Sequence, residues 1–112
     1  MPNIFINVKE GLTPEQKKNM VDRVTEVASK DVELPKTAVR ITIIEHAAKN
    51  MVIGGESPSD MFYPTVFVNT KAGKPDQLLK NMRSHITGAI AETCGQPVDN
   101  ITLYFLEHRA LQ

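Results

Sequence analysis

Few side chains in this sequence have both the type and the spacing that chemistry requires. Two Glu-His pairs, Glu45-His46 and Glu107-His108, carry residue types that bind metals. They fall at corresponding places in two similar segments, so repeated structure accounts for them without an ion. Cys94 stands one residue before Gly95 at a helix end, the setting of a small buried thiol rather than a nucleophile. It is the only cysteine, which excludes an internal disulfide framework and a multi-cysteine zinc site within one chain. His85 stands where the preceding copy has Arg23 and reads as a solvated helix position. Glycine spacing supplies no dinucleotide or phosphate-loop motif, and Tyr63 and Tyr104 are too few for a stacking surface. No cofactor is expected.

The elements that must position these residues come in duplicate. Shifting the chain by 62 residues aligns 2–47 with 64–109 without a gap, and 12 of the 46 pairs are identical, several times what chance gives. Pro2/Pro64, Phe5/Phe67, Asn7/Asn69 and His46/His108 are among them. Each copy reads strand, helix, strand. Residues 3–8 are β-branched and aromatic and stop at the Lys9-Glu10-Gly11 turn. Thr13-Pro14-Glu15-Gln16 is a helix start, with Thr13 as cap, Pro14 at the first helical position and Gln16 closing a capping box. The helix is predicted to run to about residue 30, with Met20, Val21, Val24, Val27 and Ala28 inward. Pro35 ends the connection, and 39–44 is the second strand. The second copy predicts a strand over 65–70, a helix over 75–93 stopping at Gly95, and a strand over 101–106.

Helical crossovers favour parallel pairing within each copy. The expected fold is α+β: a four-stranded mixed sheet with two helices on one face. Its bare sheet face needs cover, which argues for oligomerisation. The 112 residues form one expected domain, 1–112, with a first unit over 2–62 that includes a linker and a second over 63–112. The linker at 47–63 has no counterpart after the second unit, so it either connects the units or completes a site. Apolar residues make up 41% and charged ones 23%, which excludes a disordered chain. Thirteen basic and thirteen acidic residues cancel, removing the basic footprint of a nucleic-acid or anionic-membrane binder. With no long apolar run and no signal-peptide layout, a cytoplasmic protein is expected.

Pro2 behind the initiator Met1, the run Glu10-Gly11-Leu12-Thr13-Pro14-Glu15-Gln16-Lys17, then Pro35, Val39-Arg40-Ile41, Ile44-Glu45 and Ile53-Gly54-Gly55-Glu56 together resemble the 4-oxalocrotonate tautomerase family. The match spans residues 2–56, and the chain looks like a fused, two-copy member of the tautomerase superfamily. The resemblance implies a homotrimer and a cofactor-independent isomerase. It implies proton transfer between oxygen and carbon of a small enol, dienol or 2-oxo acid, with Pro2 as base and then acid. Removal of Met1 gives Pro2 a secondary amine, and burial with a neighbouring cation disfavours its protonated form. Retention of Met1 would make that nitrogen an amide.

By the same resemblance Arg40 grips the substrate carboxylate, a task suited to a guanidinium fork. Met51 stands in the place of an apolar pocket residue. Leu12 occupies the place of a second arginine, which puts a diacid substrate in doubt. The second copy offers Lys74 opposite Leu12 and Thr102 opposite Arg40, so Pro2 faces Arg40, Lys74 or both across subunits. Pro64 is inside the chain, its nitrogen is an amide, and it cannot be a base. The competing reading is a non-catalytic trimeric binding protein of the same fold whose Pro2 amine is lost or blocked.

Overall fold

The computed structural model describes residues 2–56 and 63–109. Met1, the Ser57-Pro58-Ser59 part of the linker and the boundary at 62 lie outside the described residues. The chain runs β1 (Asn3–Lys9), α1 (Pro14–Val32), β2 (Arg40–His46), β3 (Thr65–Lys71), α2 (Asp76–Cys94) and β4 (Thr102–His108). Short 3-10 turns at Lys36–Ala38, Ala48–Asn50 and Val98–Asn100 punctuate it.

The capping box forms at α1. The Thr13 hydroxyl accepts from the Gln16 N–H at 3.0 Å, and the Gln16 side chain accepts from the Thr13 N–H at 2.9 Å. Two free helix donors are thereby satisfied. The helix outruns its expected end by a turn's fraction because Glu33 caps it in the left-handed conformation at φ 56. In the second copy Gly95 holds the same cap at φ 69. Pro75 precedes α2 as its cap residue instead of opening the helix.

Both second strands start one residue later and end two residues later than the apolar pattern indicates. The 3-10 turn after each proline consumes the residues ahead of the strand. At the far end the Glu10 N–H donates to the His46 carbonyl at 2.8 Å, and the Ala72 N–H to the His108 carbonyl at 2.6 Å. These bonds carry the ladder through the polar Glu-His pairs, which hydropathy alone leaves outside. Side chains hold the ends too: Asn7 Oδ1 lies 2.9 Å from His46 Nε2, and Asn69 Oδ1 lies 2.7 Å from His108 Nδ1. Asn7 also donates to the Thr65 carbonyl at 3.1 Å, tying the two copies together.

The sheet order is β2-β1-β3-β4. β1 is parallel to β2 and β3 to β4, while β1 and β3 pair antiparallel about Phe5↔Phe67. Ile4, Ile6, Val8, Val66 and Val68 turn to the helices, where they meet Met20, Val24, Met82, Ile86 and Ile90 in one buried core. His85 is more than a solvated position, since its Nδ1 reaches the Asp31 carboxylate of α1 at 2.9 Å. Arg23 makes a second bridge between the helices, to Glu92 at 2.8 Å.

Among the described residues no helix covers the opposite face. Phe5 and Phe67 are half-buried at its centre, Phe67 stacks on Tyr104 with centroids 5.8 Å apart, and Ile44, Tyr104 and Leu106 are exposed.

Replacing Glu33 by Gly is expected to raise stability by about 0.5–1 kcal/mol, because it relieves a left-handed side-chain residue. Gly95→Ala is expected to lower it by about 1 kcal/mol for the mirrored reason. Urea midpoints at one protein concentration check both. Burial pushes the Cys94 thiol up from its ordinary value and leaves it protonated near neutrality. Iodoacetamide at pH 8 is therefore expected to modify Cys94 at least about tenfold more slowly in the native protein than in urea, followed by intact mass.

Candidate active site

Antiparallel pairing of the two copies gives each end of the sheet one proline. Pro2 shares its end with the starts of β1 and β2 and the finishes of β3 and β4. Pro64 shares the other with the starts of β3 and β4 and the finishes of β1 and β2. A seven-residue strand separates the ends by roughly 20 Å.

At the first end Pro2 is buried, and its carbonyl accepts the Arg40 N–H at 3.1 Å. Continuing the β1–β3 register sets Pro2 opposite Thr70, one residue before Lys71. The β3–α2 turn leaves the sheet here, with Lys71 and Lys74 both exposed. Arg40 pairs with Asn3 and alternates with the core-packed Ile41, so its side chain lies on the bare face. Pro2 alternates with Asn3 in the same way and belongs to the helix side. Within one protomer Arg40 and Pro2 are thus backbone neighbours whose side chains leave opposite faces.

The remaining residues singled out in the sequence lie elsewhere. Leu12 is 7% exposed and packs in the core, so within the protomer it presents almost no surface to a ligand. Met51 sits at the other end, with Pro64. There the Ala48–Asn50 turn and a Gly54-Gly55 hairpin, with φ 61 and 84, position the intervening residues. The Ile53 N–H donates to the Glu56 carbonyl at 2.7 Å and the Glu56 N–H returns to Ile53 at 3.1 Å, closing the hairpin. A cavity of about 440 Å³ opens beside it. Asn50, Met51, Val52 and Ile53 form one wall, and Lys9, Tyr63, Thr65 and Thr102 the other.

Sequence reasoning passed over Lys9, Tyr63 and Thr65. The repeat held the signal: antiparallel joining of two like strands carries the finish of the first to the start of the second, and hence Lys9 to Pro64. The neighbouring Glu45 and His46 side chains leave opposite faces of the sheet. Glu45 pairs with Lys17, whereas His46 bonds Asn7 on the other face of the sheet. Among the described residues no three His, Cys, Asp or Glu side chains gather as a metal site. Among them, too, no helix is long and apolar enough to cross a membrane.

Comparison with known proteins bears directly on this arrangement. Residues 2–61 match the family model described as Tautomerase enzyme. Over 61 residues the chain is 38% identical to a probable tautomerase of Listeria monocytogenes, covering 54% of this chain and all of that protein. Over 59 residues it is 39% identical to a 2-hydroxymuconate tautomerase of Pseudomonas putida, covering 53% of this chain and 94% of that one. Those matches span about half of the chain, as a duplicated unit would give. Across nearly its whole length it shares the fold of a native fused 4-OT, with a TM-score of 0.87 at 18% identity over 96% of this chain and 87% of that one. A fused 4-OT described as a symmetric trimer superposes with a TM-score of 0.84 at 19% identity, over 95% and 85%. The family match over more than half of the chain, on the architecture those fused proteins share, makes this protein a member of the tautomerase family and an isomerase.

Proposed function

We propose that the protein interconverts the enol and keto forms of a small 2-oxo or 2-hydroxydienoic acid, with the Pro2 amine carrying the proton. The amine takes the enol O–H proton and delivers it to carbon as the carbonyl forms, so it ends the cycle as it began. Arg40 grips the carboxylate and 2-oxo group through its fork, and offsets negative charge that develops on oxygen. Lys74 supplies a second cation. The observation that carries the reading is the gathering of Pro2, Arg40 and the Lys71–Lys74 turn at one end of the sheet, in a chain of the tautomerase family.

The working form is a homotrimer in the cytoplasm. The bare face, with Phe5, Ile44, Phe67, Tyr104 and Leu106, supports it, as do outer edges of β2 and β4 without a strand partner among the described residues. In a closed assembly of three, a neighbour's Arg40 can complete the site of a Pro2 that its own Arg40 turns away from. Met51 can serve Pro2 only from such a neighbour. With Leu12 in the core, the first copy supplies no cation at that place, and Lys71 and Lys74 offer point charges rather than a guanidinium fork, which favours a monoacid.

Pro2→Ala is expected to lower kcat/KM for phenylenolpyruvate by about a hundredfold or more, with the circular dichroism and the assembly mass unchanged. Undiminished turnover would overturn the role of Pro2, and absence of turnover in the wild type would favour the binding-protein reading. Arg40→Ala is expected to raise KM and to lower kcat as well, since the fork meets both the carboxylate and the developing charge, and phenylenolpyruvate to be preferred to 2-hydroxymuconate. Tyr104→Asp, which charges the bare face, is expected to reduce the three-chain mass to that of single chains in sedimentation.

A further inference from the structure

One row of side chains on the helix side of the sheet has no part yet in that mechanism. Continuing the β1–β3 register sets Thr70 opposite Pro2, and Thr70 is in turn the register partner of Glu107 on β4. Proline, hydroxyl and carboxylate thus follow one another across three adjacent strands on the same face. The Pro2 carbonyl turns to β2, where it accepts from the Arg40 N–H. Pro2 and Thr70 therefore form a pair without main-chain bonds between them, the kind whose Cα atoms stand about 4.5 Å apart and whose side chains come closest. Thr70 is 6% exposed, and its hydroxyl makes no hydrogen bond among the described residues. Glu107 is exposed, and its carboxylate has no ion pair or hydrogen bond among them either. The other end of the sheet lacks both features. There Val8 stands opposite Pro64 and is fully buried, and Glu45, the partner of Val8 on β2, is taken up by Lys17 of α1. In the second copy Leu79 stands where the first has Lys17, which leaves Glu107 without that lysine. A hydroxyl and an unengaged carboxylate occur together only beside the proline for which proton transfer is proposed.

We propose that Thr70 and Glu107 are positioning residues for the Pro2 amine: with Met1 removed, the Pro2 N–H donates to the Thr70 hydroxyl oxygen, and the Thr70 hydroxyl donates its own proton to the Glu107 carboxylate. These roles rest on the reading of Pro2 as the proton carrier. No proton moves along the row. Its two hydrogen bonds fix one N–H of the amine, and the remaining position on nitrogen is the one that exchanges a proton with the substrate. At this end lie Glu33 and Lys36 from α1 and its connection to β2, Arg40 from β2, Lys71, Lys74 and Asp76 around the turn into α2, and His108 from β4. The cations among them work against a protonated Pro2. An acceptor backed by a carboxylate offsets that opposition, so the amine holds the enol proton until carbon takes it.

Titrating the Pro2 ¹⁵N signal of the proline-labelled whole chain, in wild type and variants, tests it, with the acid limb of kcat/KM for phenylenolpyruvate as a second readout. Losing the row removes support for the charged amine. Thr70→Val, which keeps the side-chain shape, is therefore expected to lower the Pro2 midpoint by about half a unit or more and to carry the acid limb down with it. Thr70→Ser is expected to restore the wild-type midpoint. Glu107→Gln, a change at the surface, is expected to lower the midpoint in the same direction, and to add little in the Thr70→Val background because its effect passes through the hydroxyl. Glu45→Gln at the other end is expected to leave the midpoint unmoved. A midpoint within about 0.2 unit of wild type in Thr70→Val or in Glu107→Gln would overturn the inference while the Pro2 reading stands. A Glu107→Gln effect undiminished without the hydroxyl, or matched by Glu45→Gln, would do the same. A Pro2 nitrogen that does not titrate in the wild type would overturn both.

Discussion

Antiparallel pairing of β1 with β3 is the constraint on which the rest of this structure depends. It joins two copies of a parallel strand–helix–strand unit into one sheet about the Phe5↔Phe67 pair. It brings both helices to one side, where Met20 and Val24 meet Met82 and Ile86 over Ile4, Ile6, Val66 and Val68. Neither unit could bury that surface alone. The same pairing sends Pro2 and Pro64 to opposite ends and gives each proline the closing turn of the other copy as its neighbour. The Asn7 side chain, bonded to His46 and to the Thr65 carbonyl, reinforces the joint.

Two ends related by near-symmetry have diverged in chemistry through very few differences. One proline nitrogen is the amine of the proposed reaction, and the other is fixed as an amide by the chain that precedes it. Arg40 stands against Thr102, and Leu12 against Lys74. The first end therefore gathers Arg40, Lys71 and Lys74 about the proline for which proton transfer is proposed. The second borders a cavity lined, among the described residues, by Lys9 and the 50–53 segment. Duplication inside one chain permits that division, because each end can change without the other, which a chain of one unit repeated by assembly cannot do.

Most of the fold was legible in the sequence. The capping box at Thr13-Gln16, the glycine stop at Gly95 and the alternation of strand residues predict elements that the structure contains. The strand ends were less legible: Glu45-His46 and Glu107-His108 extend β2 and β4 through main-chain bonds to Glu10 and Ala72, which polarity conceals. Glu33 was illegible as a left-handed cap because nothing in its type announces one. Of the site residues, Pro2, Arg40 and Lys74 were found as types, but their placement depends on which strands adjoin. Met51 was named by resemblance as an apolar pocket residue, with the origin of each pocket wall left open, and the β1–β3 pairing places it at the Pro64 end of its own protomer. It also left Leu12 as a pocket residue, whereas the turn after β1 folds it into the core.

The central claim is that the Pro2 nitrogen is an amine that exchanges protons with the substrate. It is tested most directly by titrating the ¹⁵N resonance of proline-labelled enzyme across the pH range in which kcat/KM changes. The account predicts that one proline nitrogen titrates, that it is Pro2, and that its midpoint coincides with the acid limb of kcat/KM, since the base must be unprotonated to begin the cycle. A Pro2 nitrogen that does not titrate in an active enzyme, or one whose midpoint stands apart from that limb, would contradict it.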